Sequence, residues 1–174
     1  AAPASHQVLG RVSFPVQCNA EAQAEFNHGM LLQHSFWYQM AAASFQEVRR
    51  RDPGCTMAYW GEALTLLTNP YSPPPAQNLR RGRELLAEAQ RLGARNPREA
   101  TYIEALSLVF AGDDAAGHRT RLVAYRDAMG RLHERFPDDT EGVILSSLLL
   151  GVASSPADRS YADQLRGAAM LERE

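Results

Sequence analysis

Cysteine, histidine and the acidic residues are the side chains of this sequence whose chemistry could define a site. The two cysteines, Cys18 and Cys55, form no C-x-x-C, so the zinc and dithiol motifs built on that spacing are absent. The five histidines are His6, His28, His34, His118 and His133. His28 and His34 flank Met30, and Met30 with His34 is an i, i+4 pair on one helix face. Thioether and imidazole together suit copper or an axially held haem, which makes His28, Met30 and His34 a candidate metal or cofactor set. The competing reading makes His34 a hydrogen-bonded residue at a break between two helices. No G-x-S-x-G, Gly-rich phosphate loop or H-E-x-x-H is present, so no residue takes a catalytic role and no cofactor is expected. Glu62, Glu99, Glu104, Asp113 and Asp114 read as solvated charge.

The chain has 174 residues, is 45% hydrophobic and 22% charged, and carries a net charge of -2, values that fit a folded domain rather than a disordered one. All 18 basic residues are Arg, which an Arg- and Ala-biased coding sequence accounts for. Arg49–Arg51 and Arg80, Arg81, Arg83 are the only basic clusters, and acidic residues follow each. A one-sided basic surface is therefore absent, and nucleic acid is not the expected partner. No run of about 18 apolar residues exists to span a membrane. The opening AAPASHQ resembles what remains after cleavage at small residues, or a disordered leader.

Helical periodicity dominates the rest, with no strand signal. Residues 1–19 read as an extended leader closed by Pro15. Helices are expected over about 20–32, 35–50, 56–67, 76–92, 97–110, 118–136 and 139–153, and from about 157 to the end. Asp52-Pro53-Gly54, Gly93, Pro137 and Ser154-Ser155-Pro156 act as stops, and Asn96-Pro97 and Asp138 or Asp139 as starts. Trp37, Ala41, Ser44, Phe45 and Val48 are placed on the inward face of the second helix. The last helix is apolar on one side through Leu165, Ala168, Ala169 and Leu171, so either more chain follows or that face docks on something.

Gly29, Ala41, Phe45 and Pro53 stand at offsets of 0, 12, 16 and 24. A tetratricopeptide repeat fills those offsets with a small residue, Ala, an aromatic and Pro. Residues 20–68 closely resemble that family, and 76–173 resemble it more loosely. The spacings of 44 and 40 between Pro53, Pro97 and Pro137 exceed the regular 34. The run LLQHSFWYQMAAASFQEVRRRDPGCTMAYWGEAL resembles a group of longer, bacterial, often exported repeat proteins, of which this chain would be the N-terminal portion. The resemblance implies an all-α, right-handed α-α superhelix of about eight helices in four pairs, spanning 20–174. It also implies a non-enzymatic scaffold with a groove lined by the first helix of each pair.

Family register places Gln23, Phe26, Met30 and Gln33, then Met57, Trp60, Leu64 and Leu67, in that groove. The family's basic clamp for acidic peptide tails is missing from those positions. An apolar or amphipathic partner segment is expected instead, the alternative being that the chain fills its own groove. The aromatic residues Trp37, Tyr38, Tyr59 and Trp60 read as packing between the first two repeats. Cys18 and Cys55 precede two first helices, which run parallel in such an array, so a disulfide between them is expected. The alternative is two free thiols in a cytosolic protein. An exported or periplasmic location follows from the disulfide. Two further readings remain: a periplasmic metal- or cofactor-binding helical domain using His28, Met30 and His34, and a structural subunit of a larger complex docked through the last helix.

Overall fold

The computed structural model describes residues 10–173, and among these the only regular structure is eight helices. The first part of the leader, residues 1–9, lies outside the described residues. In order the helices are α1 (Ala20–His34), α2 (Tyr38–Arg51), α3 (Thr56–Thr65), α4 (Ala76–Leu92), α5 (Pro97–Val109), α6 (His118–Arg135), α7 (Thr140–Val152) and α8 (Ala162–Leu171). None is long and apolar enough to cross a membrane.

Local chemistry sets most of the boundaries. Asn19, Asn96 and Asp139 cap α1, α5 and α7, each accepting a backbone N–H of the first turn. Pro97 follows its cap at N1, where the missing N–H costs nothing. Gly93 ends α4 at φ 79°, a left-handed conformation that a side chain would resist. Two starts differ from the sequence expectation. The second helix begins at Tyr38 rather than near Ser35, because Phe36 turns the chain at φ 61°. Trp37 thereby becomes the cap residue and lies 43% exposed rather than on the inward face. The last helix begins at Ala162 rather than near Ala157. Asp158 instead accepts the Ser160 N–H and hydroxyl and holds a turn there.

Consecutive helices pack together, most intimately as α1/α2, α3/α4, α5/α6 and α7/α8. In addition α3 touches both α1 and α5. The closest approaches depend on glycine. Phe45 of α2 lies between Gly29 of α1 and Gly61 of α3. A Cβ at Gly29 would come within 2.8 Å of its ring, and one at Gly61 within 2.5 Å. Farther along, Gly82 of α4 lies against the Phe110 ring in the same way.

These contacts give glycine substitutions opposite signs. Gly61→Ala forces the buried Phe45 ring to shift and is expected to cost about 1–3 kcal/mol. Gly130→Ala, inside α6 where an added Cβ meets nothing within 4 Å, is expected to gain up to about 1 kcal/mol from helix propensity. Urea unfolding of the two variants checks both signs.

Candidate functional site

The leader and the helices beside it shape the site. Residues 10–18 run without regular structure across α1, α3 and α5, and the fully buried ring of Phe14 anchors them. That ring meets Phe26 of α1 at 5.5 Å, Trp60 of α3 at 5.8 Å and Tyr102 of α5 at 5.1 Å between centroids. The leader's backbone is satisfied by side chains. Gln23 accepts the Val16 N–H at 2.7 Å and donates to the Phe14 carbonyl at 2.9 Å. Glu99 accepts the Gln17 N–H at 2.6 Å, Arg95 donates to the Gln17 carbonyl, and Arg98 donates to the Pro15 carbonyl. A disulfide joins Cys18 to Cys55, closing a separation of 37 residues.

The eight residues assigned to the groove therefore divide. Phe26 and Trp60 lie beneath Phe14, and Gln23 holds the leader's backbone. Met30 and Met57 are fully buried. Gln33, Leu64 and Leu67 instead line an open, apolar cleft of about 510 Å³, walled on the far side by residues of α7 and α8 that include Leu145, Leu148 and Leu171. Ile144 and His34 border this cleft and also a second, polar one of about 940 Å³. The polar part lies between the leader, the start of α5 and the α6–α7 turn, and it contains Arg98, Asp139 and Glu141.

Two charged clusters build the junction. Asp139, besides capping α7, accepts the Tyr102 hydroxyl at 2.9 Å and Arg98 at 3.0 Å. Burial, reinforced by the Asp139 carboxylate, holds the Tyr102 phenol far above its ordinary range, so it remains a donor. Glu141, only 4% exposed in the first turn of α7, pairs with His34 Nε2 at 2.9 Å across the cleft. The helix N-terminus favours a carboxylate at that position. His34 is therefore a bridge to a distant helix. His28 faces α2, where its Nδ1 lies 3.2 Å from Ser44 Oγ, and the buried Met30 separates the two in sequence. Among the described residues no group of three His, Cys, Asp or Glu side chains could hold a metal ion.

The carboxylates expected in solvent divide as well. Glu104, Asp113 and Asp114 are exposed. Glu99 and Glu62 are buried, a correction whose cause is pairing across elements. Glu62, 5% exposed, lies 2.5 Å from Arg49 of α2 and 3.4 Å from Arg81 of α4, and accepts Gln46 at 3.3 Å. Glu141 and Phe14 were not singled out by sequence reasoning. Val12, Phe14 and Val16 recur at steps of two, the signature of an extended segment with one buried face, and that pattern would have found Phe14. No family model, curated protein or solved structure matches the chain.

Two losses measure how firmly the leader is held. Phe14→Ala leaves a cavity among three aromatic rings and is expected to cost about 3–5 kcal/mol in urea unfolding. Replacing Cys18 and Cys55 together by Ala is expected to lower stability by up to about 4 kcal/mol, the chain-entropy value for a loop of this length. Calorimetric melting of that double variant beside the native chain checks the second.

Proposed function

We propose that this chain is a non-catalytic interaction module that grips an apolar or amphipathic helical segment of a partner protein. The fold proposed for it is a tetratricopeptide-like, right-handed superhelix of four helical pairs. The pairwise packing supports that fold, as does the contact of α3 with α1 and α5. So does the meeting of the signature residues, with Phe45 seated against Gly29.

The observation that carries the function is the open apolar cleft formed by Leu64, Leu67, Leu145, Leu148 and Leu171. Among the described residues no Asp, Glu or Arg lines it, so its complement is an uncharged helix face. The leader already covers Phe26 and Trp60, which supports docking at the Gln33, Leu64 and Leu67 end instead. The rim extends the apolar surface through Phe36, Trp37, Met40 and Tyr71, all exposed. Phe36 holds its position at a left-handed φ, a conformation that costs a bulky residue about 1–3 kcal/mol. The Cys18–Cys55 bond supports an exported setting, since such bonds persist in oxidising compartments. The exposed Leu165 and Leu171 on α8 favour a second reading, a subunit docked into a larger complex through that helix.

A photoreactive amino acid at position 148, introduced in the native source, tests the proposal. Leu148 is 45% exposed, so the substitution leaves the fold intact. The expected outcome is a discrete adduct to one partner through an apolar helix, weakened at least tenfold by Leu171→Glu. An equal yield from position 104, exposed and outside the cleft, would overturn it.

A further inference from the structure

We infer that the two-part cleft is also a site for a single-chain anionic amphiphile, a fatty acid whose alkyl chain lies in the apolar part and whose carboxylate meets His34. This goes beyond the partner reading: it shares the cleft but needs no partner protein. A cavity of about 510 Å³ with apolar walls falls in the range of small-ligand sites. Among the described residues His34 is the only basic side chain in that wall, and it also lines the polar cleft. The buried Glu141 carboxylate takes His34 Nε2, which fixes the ring and leaves Nδ1 without a partner among the described residues. Protonated, His34 offers an Nδ1–H to an anionic head.

The charge balance of the polar part selects the sign of the head group. Asp139 is committed to Arg98 and Tyr102, and Glu141 to His34. Of the remaining charges that line it, Arg11 and Arg135 have no acidic partner among the described residues, and Asp138 has no basic one among them. Two unpaired cations against one unpaired anion favour a carboxylate over an ammonium head.

Titration calorimetry of the full chain with sodium dodecanoate, kept below its micelle concentration, tests the inference beside dodecan-1-ol and dodecyltrimethylammonium. Dodecanoate is expected to saturate one site at least tenfold more tightly than either. Leu148→Glu, on an exposed position, is expected to weaken it tenfold or more. His34→Gln is expected to abolish the preference over the alcohol. Arg135→Ala, at an exposed side chain, is expected to reduce that preference severalfold whether or not the His34 variant folds. Absence of saturable dodecanoate binding overturns the inference, as does equal affinity for the alcohol or an unaltered titration with Leu148→Glu. A partner adduct at position 148 in a protein that binds no dodecanoate leaves the module reading standing and removes this one alone.

Discussion

The structure depends on one phenyl ring inserted between the inner faces of three helices. The backbones of α1 and α5 do not approach each other closely, and α3 touches each of them. Phe14 fills the space between their inner faces, with Phe26, Trp60 and Tyr102 around it in edge-on or tilted geometries. Such contacts combine apolar burial with the favourable meeting of ring edge and face. The Arg98 guanidinium adds to this by lying 5.1 Å over the Phe14 ring. The segment that carries Phe14 has no sheet or helix partner, so its buried amides need side-chain partners. Asn27, Gln23 and Glu99 supply them to Phe14, Val16 and Gln17 in turn. The Cys18–Cys55 bond and the Asn19 amide, which donates to Asp52, then fix where the leader becomes α1.

Buried charge performs a related task between helices. Glu62 draws Arg49 and Arg81 onto α3, Asp139 draws Arg98 and Tyr102, and Glu141 draws His34. Pairs of this kind add little net stability, because desolvation offsets their attraction. Losing one partner is far more costly, since the other charge is left buried and alone. The effect is selective: an arrangement of the helices that separated Glu141 from His34 would strand a carboxylate in an apolar helix. The same pair ties α1 to α7 from opposite sides of the cleft, and so sets the separation of its walls.

The helices were legible in the sequence wherever a boundary had a local cause. Asn96-Pro97, Asp139 and Gly93 act through groups within a turn of themselves, and those boundaries agree with the structure. The start of α2 was not legible, because Phe36 adopts a conformation that local preference disfavours and that surrounding packing must impose. Glu62 and Glu99 looked solvated because a carboxylate on a helix usually is. Their burial depends on Arg49, Arg81 and the Gln17 amide, which no pattern within a single helix reveals. His34 and Glu141 stand 107 residues apart, so neither flags the other. The expected repeat register assigned all eight residues to one groove, and it could not separate those under the leader from those beside the open cleft.

That separation follows from the reach of the leader. Phe14 ends up between α1, α3 and α5 because Cys18 is bonded four residues later to the start of α3, and an extended chain spans only about 3.3–3.6 Å per residue. A segment so tethered covers the Phe26 and Trp60 end and leaves the Leu64 and Leu67 end uncovered. The chain therefore uses its own aromatic anchor at one end of the inner surface. At the other end it exposes leucines, while His34 and Glu141 stand at the boundary between the two. The surface at that open end is an apolar wall with one imidazole, which would suit apolar occupants better than acidic peptide tails.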